Sequence, residues 1–165
     1  MTRFQHSIGV TAACLVGLLL VAPPATPQGG KSASMPIPHV LAKKSHRLIL
    51  QINTDEPATM NLALNNATNV GQYYKDVGEN VEIEIVAFGA GLHMLRDDTS
   101  PVKDRIKAIA EKMPSISFKA CANTQERMHK TENKVIPLVS QATLVKSGVV
   151  RVIELQEQGW TYVRP

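Results

Sequence analysis

The sequence predicts an α/β protein, a three-layer flavodoxin-like domain with a mainly parallel sheet of about five strands. Short segments rich in β-branched residues alternate with amphipathic segments of roughly 10–17 residues, which is typical of right-handed βαβ units. The chain has 165 residues, of which 44% are hydrophobic and 19% are charged. That size and composition suit one folded domain, and they exclude a wholly disordered chain and a multi-span membrane protein.

A strand followed by a helix is predicted at the start of the domain. Arg47–Asn53 is rich in Leu and Ile, as strands are. Thr54 precedes Pro57, and a proline in the first turn of a helix costs no hydrogen bond. Apolar residues then recur at helical spacing until Gly78 ends the helix: Met60, Ala63, Leu64, Ala67, Val70, Gly71 and Tyr74.

A second strand and its turn come next. Val81–Phe88 alternates Val and Ile with Glu and then becomes wholly apolar, which is typical of a strand that enters a buried sheet. Within it, Glu82 and Glu84 lie on one face, and we interpret them as a solvated surface. The small residues Gly89–Gly91 predict a turn, and His93–Leu95 is expected to begin a short helix.

The third strand leads to the strongest chemical candidate of the sequence, Cys121. Pro101–Met113 is amphipathic and predicts a helix, and Ile116–Ala120 predicts a strand that ends at Cys121. Gln125–Asn133 is predicted to be helical. The sequence therefore places Cys121 directly between a strand and a helix.

The last part of the chain predicts one more helix and the remaining strands. Pro137–Lys146 is expected to hold a short helix. Val149–Leu155 is rich in β-branched residues and predicts a fourth strand. Trp160–Val163 follows a Gln158-Gly159 turn and is expected to pair beside that strand.

The amino terminus has the pattern of an export signal. An apolar run of 15 residues, Ile8–Ala22, follows Arg3 and leads into several prolines. The run is shorter than the ~18–20 residues of a membrane-spanning helix, so residues 1–30 are predicted to be a signal peptide and the start of a linker. Residues 31–45 are predicted to be a flexible linker and residues 46–165 the folded domain, located in the periplasm or secreted. A retained, membrane-anchoring leader and lipidation at Cys14 are the alternatives.

Several classes of site and partner are not expected. The net charge of +4 is modest, and the basic patch at Lys43-Lys44 is interpreted as a solvated edge, so no nucleic-acid partner is predicted. Two cysteines exclude a disulfide-stapled scaffold. The pairs His93-Met94 and Met128-His129 fit no standard ligand spacing, and Gly89-Ala90-Gly91 lacks the third glycine of a dinucleotide fingerprint. We therefore predict no metal and no cofactor.

Cys121 is the strongest chemical candidate. A thiol between a strand and a helix faces unpaired N–H groups and the positive end of the helix dipole, and both stabilise a thiolate. Asn123 is expected to cap the helix, with Glu126 at capping-box spacing. Three nearby cations are expected to add positive potential: Lys119, Arg127 and His129. The alternative is that Cys121 is a small buried apolar residue.

Four segments of the chain resemble the DsrE/DsrF-like (YchN-like) family, in particular its exported, uncharacterised branch. The resemblance extends from His46 to Pro165, and its most specific parts are the cysteine segment and the carboxyl-terminal tail. The four segments are Ala63–Ala67, Val86–Leu92, Phe118–Thr124, and Glu154–Trp160 with Tyr162 and Pro165.

The resemblance implies a function and a set of site residues. It implies that Cys121 accepts sulfur as a persulfide and passes it to another protein. It also implies that Asn123 and Thr124 support the cysteine loop, with Gly89 and Gly91 forming the opposing wall. Ala122 departs from the pattern, because glycine is expected after the cysteine and alanine disfavours a positive φ.

Two functions therefore remain open at the level of sequence. The first is an exported sulfur-handling protein, a possible sulfurtransferase, with sulfur donor and acceptor proteins as partners. The second is a non-catalytic oligomeric binding module in which Cys121 is structural or redox-sensitive. The resemblance implies a homo-oligomer, a trimer or a hexamer, and we expect the helices after Pro101 and Pro137 to bury apolar surface between its subunits.

Overall fold

The computed structural model describes residues 44–165, so the predictions for residues 1–43 lie outside the described part of the chain. Its strands are β1 (Ser45–Ile52), β2 (Asn80–Ala87), β3 (Ile116–Cys121), β4 (Ala142–Val145) and β5 (Thr161–Val163). They form one sheet in the order β4-β3-β2-β1-β5, and every neighbouring pair is parallel. The predicted α/β class, with a parallel sheet of five strands, is confirmed.

Four α-helices and one 3-10 helix connect the strands. The α-helices are α1 (Pro57–Asp76), α2 (Lys103–Lys112), α3 (Ala122–Glu132) and α4 (Gly148–Glu157), and the 3-10 helix covers Gly89–Leu95. Among residues 44–165, no helix is both long enough and apolar enough to span a membrane.

The handedness of the connections decides which face each helix covers. From β1 to β4 the strands step across the sheet in one direction, whereas the connection from β4 to β5 returns to the opposite edge. Right-handed crossovers therefore place α1, α2 and α3 on one face and α4 on the other. The result is three layers, as predicted.

Two separate cores reflect this division. The first lies under α1 and α2 and includes Leu64, Ile85, Ile106 and Phe118, all nearly or fully buried. The second lies under α4 and is much smaller, with the buried residues Ile49, Val86, Val152 and Leu155 and with Phe88 and Trp160 packed against them.

The sequence interpretation is wrong for the segment between Pro137 and Leu155. The predicted helix over Pro137–Lys146 is instead a loop followed by β4, because Val139 N–H donates to the Leu95 carbonyl (2.9 Å) and Ala142–Val145 pairs with β3. The predicted strand over Val149–Leu155 belongs to α4. Its buried residues Gly148, Val152 and Leu155 recur at helical spacing, which outweighs the β-propensity of the segment.

Two smaller corrections concern neighbouring elements. Residues 161–163 do form a strand, but β5 pairs with β1, since the predicted fourth strand is a helix. Glu84 is not part of a solvated face: α4 packs over β2, and Glu84 is only 7% exposed, whereas Glu82 remains exposed.

A buried arginine fastens the loop after the 3-10 helix to the end of α3. Arg96 is fully buried, and its guanidinium donates to the Asp98 carboxylate (2.9 and 2.8 Å) and to the Glu132 carboxylate (2.5 and 2.9 Å). Lys134 also contacts Asp98 at 3.1 Å. The Arg96 hydrogen bonds hold the pKa of the Asp98 carboxyl well below its ordinary value, despite an opposing effect of burial.

We predict that Arg96→Met lowers the free energy of unfolding by about 2–4 kcal/mol, because it leaves two carboxylates without their buried partner. The Asp98 pKa is depressed in the folded state, so the stability from this pair is present above the unfolded carboxyl pKa of about 3.9 and is lost as the pH falls below it. Urea denaturation should therefore show a weaker loss of stability on acidification in the variant than in the wild type.

The matched control is Lys103→Met, which removes the exposed ion pair with Asp97. It should change the unfolding free energy by no more than about 0.5 kcal/mol. Equal losses in the two variants would show that the Arg96 cluster does not stabilise the fold.

Candidate functional site

Cys121 ends β3 on the face of the sheet that α4 covers. Side chains alternate along a strand, and Phe118 and Ala120 belong to the first core on the opposite face. Among residues 44–165, Cys121 is the only cysteine, and it is a free, buried thiol with 4% exposure. The structure therefore places the predicted nucleophile at the carboxyl edge of the sheet, beneath the amino end of a helix.

The strand order makes this edge a natural binding position. The chain leaves β3 toward one face, as α3, and leaves the neighbouring β4 toward the other face, as α4. In open parallel sheets, such a divergence between adjacent strands opens a crevice outside their carboxyl ends, where ligands bind. Cys121 lies at this crevice, paired across the sheet with Val145.

The amino ends of two helices meet at Cys121. Cys121 is the N-cap residue of α3, although its side chain makes no capping hydrogen bond. The backbone N–H groups of Asn123 and Thr124, in the first turn of α3, and of Gly148, the first residue of α4, lower the pKa of its thiol. Ser147, the N-cap residue of α4, makes no side-chain capping bond either. Cys121 therefore lies between two helix ends.

Thr124 links the sulfur to the loop after β2. Its hydroxyl accepts a hydrogen bond from the Gly89 N–H at 3.1 Å, and it also lowers the pKa of the Cys121 thiol. Gly89 has a φ of +57°, which glycine adopts without strain. Three predicted site residues, Cys121, Thr124 and Gly89, therefore lie together at this edge of the sheet.

These contacts determine the acidity of the thiol. Burial raises the pKa of Cys121, but hydrogen bonds from the Thr124 hydroxyl and from the N–H groups of Gly148, Thr124 and Asn123 lower it. The net effect is a pKa below the ordinary value, because the donors stabilise the thiolate. Oriented dipoles produce this shift, and not the cations that the sequence analysis expected to contribute: Lys119, Arg127 and His129.

The other two predicted site residues have different surroundings. Asn123 contributes its backbone, which also donates to the Lys146 carbonyl at 3.3 Å, but its side chain does not cap α3. The predicted capping box is wrong, because Cys121 itself is the N-cap and α3 begins at Ala122. Gly91 packs against the end of β1, where a Cβ would lie 2.2 Å from the Ile52 carbonyl oxygen.

The sequence analysis missed the contribution of α4. A Cβ at Gly148 would lie 2.7 Å from the Phe88 ring, so only glycine lets the amino end of α4 approach this closely. Behind it, Arg151 donates to the buried Glu84 carboxylate at 3.0 and 2.6 Å. The Ser147-Gly148 pair before a mixed apolar segment is a helix-start signal that could have indicated α4.

A cleft of about 580 Å³ opens beside the cysteine, between the amino ends of α3 and α4. Its walls include Asn123, Val145, Lys146, Ser147 and Arg151. Three of these are neighbours of Cys121 or of its hydrogen-bond donors. Cys121 itself is not part of the cleft wall, so the cleft borders the residues around the sulfur and not the sulfur itself.

The described residues include one cysteine thiol and no cluster of possible metal ligands. Within residues 44–165, no three His, Cys, Asp or Glu side chains lie together in a way that could hold a metal ion. The arrangement suits nucleophilic chemistry of a single thiolate.

Comparison with known proteins gives a structural relative without a known activity. No protein-family model matches the chain. No curated protein matches it either. The chain is similar to a solved structure of a protein of unknown function, MTH1491 from Methanobacterium thermoautotrophicum, with a TM-score of 0.62 and 28% sequence identity. The likeness covers 73% of this chain and 99% of that one, so the two proteins share the α/β fold.

Proposed function

We propose that this protein is an exported sulfur carrier of the DsrE-like type, in which Cys121 holds sulfane sulfur as a persulfide. The observation that carries the proposal is the position of the buried Cys121 at the amino ends of α3 and α4, where the Thr124 hydroxyl and three backbone N–H groups act as donors that lower the pKa of its thiol. A purely structural cysteine needs no such set of donors. A nucleophile that must exist as an anion does.

The loading step requires only a thiolate and a donor with a weak sulfur–sulfur bond. The Cys121 thiolate attacks the outer sulfur of a persulfide, R–S–SH. A new S–S bond forms at Cys121, the donor S–S bond breaks, and R–S⁻ leaves with the electron pair and takes up the proton. Thiosulfate reacts in the same way and releases sulfite. No external oxidant or reductant is needed.

The unloading step repeats this exchange in the other direction. An acceptor thiolate attacks the outer sulfur, and the Cys121 thiolate leaves. Because the leaving group is stabilised by the same four donors, the site assists both transfers. Its 4% exposure also limits contact with bulk oxidants, which matters for a thiolate outside the cytoplasm.

A non-catalytic binding module is the second candidate, and a different cavity favours it. A groove of about 550 Å³ lies between α1 and the β5 edge, at the opposite end of the sheet order from β3 and β4. Its walls include Leu48, Leu50, Val70 and Tyr74, with a few polar groups such as Asn66. Volume and lining are typical of a small-molecule site.

The assembly is also a proposal. The exposed side chains of the helices favour α4 as the contact between subunits, in place of the helices after Pro101 and Pro137 that the sequence suggests. We propose a homo-oligomer, a trimer or a hexamer. The outward side of α2 is charged, with Lys103, Asp104 and Lys107 exposed. The outward side of α4 is apolar, with Val149, Val150 and Ile153 each about half exposed (53%, 46% and 49%). Subunits should therefore meet through α4 and not through α2.

The first test is intact-mass analysis of the protein after incubation with thiosulfate or polysulfide. We expect a gain of ~32 Da for each sulfur added, reversed by dithiothreitol and absent in Cys121→Ser. Absence of the adduct while Cys121 reacts readily with iodoacetamide would contradict the carrier function and favour the binding module.

The second test concerns the hydroxyl that supports the thiolate. Thr124→Val removes a donor to sulfur and should raise the pKa of Cys121, which slows alkylation roughly tenfold at pH values below that pKa. Thr124→Ser keeps the hydroxyl and should behave like the wild type. The measurement is the alkylation rate from pH 4 to 10. Equal profiles for the three proteins would show that Thr124 does not stabilise the thiolate.

The third test addresses assembly. Ile153→Glu places a charge on the apolar side of α4 and should shift the protein from an oligomer to a monomer in sedimentation velocity at micromolar concentration. Leu62→Glu is the control, because Leu62 on α1 is equally exposed (46%) but lies on the other face of the sheet. A monomeric wild type would contradict the proposed assembly, and dissociation by Leu62→Glu alone would place the interface on α1.

A further inference from the structure

We propose that Glu84 is a positioning residue for Cys121: through Arg151, it holds the amino end of α4 against the cysteine sulfur. This inference rests on the thiolate chemistry proposed above, and it assigns a role to an ion pair whose arginine lines the cleft beside Cys121. The connection leads from Glu84 on β2, through Arg151 on α4, to the Gly148 N–H.

The ion pair has the geometry of a fixed anchor. Arg151 donates through Nε (3.0 Å) and Nη2 (2.6 Å) to the two oxygens of the Glu84 carboxylate, so the planar groups match in two places. The Glu84 side chain is 10% exposed and that of Arg151 28%. An ion pair that is largely buried and joined by two hydrogen bonds restricts the movement of α4 relative to β2 more than an exposed pair would.

The anchor acts directly on the first turn of α4. Arg151 N–H donates to the Ser147 carbonyl at 3.0 Å, which closes the first turn of the helix around Gly148. Arg151 therefore belongs to the same turn as Gly148, whose N–H lowers the pKa of Cys121. Fixing its guanidinium on β2 fixes that N–H above the end of β3.

Few other contacts in the described part of the chain could do this. Within residues 44–165, the second core, which carries α4, has four buried residues: Ile49, Val86, Val152 and Leu155. Two of them, Val152 and Leu155, lie in the middle and the second half of the helix. Near its amino end the close contacts are Gly148 against Phe88 and a hydrogen bond from the Asn123 N–H to the Lys146 carbonyl, which precedes the helix. The Glu84–Arg151 pair adds a directional contact from within the first turn of the helix itself.

Removal of the Glu84 charge by itself would change the acidity of the Cys121 thiol in the opposite direction to loss of positioning, and this difference makes the inference testable. Other charged side chains in this region are Lys119 on β3, and Lys146 and Glu154 at the cleft. Removing a carboxylate leaves this neighbourhood more positive, so by Coulomb's law alone the thiol should become more acidic. Loss of the Gly148 hydrogen bond should make it less acidic. The direction of the change separates the two mechanisms.

The experiment compares Glu84→Ala with Glu82→Ala in the full-length protein, using the thiolate absorbance at 240 nm and the alkylation rate as a function of pH. Glu82 lies on the same strand and the same face but is exposed and makes no ion pair in the described structure. We expect Glu84→Ala to move the thiol titration to higher pH and to slow alkylation roughly three- to tenfold at pH values below the titration, a change one lost hydrogen bond produces. Glu82→Ala should titrate as the wild type.

Two further variants separate positioning from general destabilisation. Ile106→Val weakens the first core, far from α4, and should lower the melting temperature without moving the thiol titration. Glu84→Gln keeps one acceptor for Arg151 and can replace Glu84→Ala if that variant does not fold. It should move the thiol titration in the same direction as Glu84→Ala, but by a smaller amount. Amide hydrogen exchange at Gly148 should become faster in both Glu84 variants.

A titration that stays in place or moves to lower pH in the Glu84 variants would overturn the inference, as would unchanged exchange at Gly148. These measurements need no sulfur donor. If the thiol titrates as expected in the Glu84 variants but the protein gains no sulfur mass, the carrier function is contradicted and the role of Glu84 stands. If the protein gains sulfur mass but the titration does not move in the Glu84 variants, the carrier function stands and the role of Glu84 is contradicted.

Discussion

The right-handedness of parallel crossovers is the constraint on which this structure depends. It sends three successive helices to one face of the sheet and forces the return connection, α4, to the other. Because α3 and α4 leave adjacent strands toward opposite faces, their amino ends converge at the carboxyl edge of β3 and β4. Cys121 lies at that point of convergence. The topology of the sheet therefore determines the surroundings of Cys121 more than any single neighbouring side chain does.

The sulfur at this position has a structural and a chemical role that depend on each other. The N–H groups at the ends of α3 and α4 and the Thr124 hydroxyl lower the pKa of this sulfur, because a thiolate is a stronger hydrogen-bond acceptor than a thiol. The same groups that favour the anion are the unpaired groups of two helix ends, so an anion at this position would also stabilise those ends. In the proposed persulfide the inner sulfur would keep this position.

The sequence predicts the part of the fold that local patterns determine. The strands β1, β2 and β3 and the helices α1 and α2 follow from periodicity, and Cys121 follows from the boundary between the third strand and the next helix. The role of Thr124 is implied only by the family resemblance. The pattern of segment 137–157 predicts the wrong elements because its β-branched residues suit either a helix or a strand, and only tertiary packing decides between them. Gly148 could not be linked to Cys121 from the sequence, since its closeness depends on Phe88, a residue distant along the chain. The role of Glu84 could not be identified from the sequence either, because Glu84 is buried only through its contact with α4.

The helix that completes the site is also the helix with the smallest core. Many apolar side chains bury α1 and α2, but α4 rests on four buried residues and presents β-branched side chains to its outer side. Apolar packing is not directional and would allow such a helix to slide by a fraction of a residue. A hydrogen bond to sulfur does not tolerate that movement, because it weakens steeply with angle and distance. This arrangement requires a directional contact at the first turn of α4, and the Glu84–Arg151 ion pair is such a contact. A purely hydrophobic replacement would keep α4 packed on the sheet without fixing the position of the Gly148 N–H.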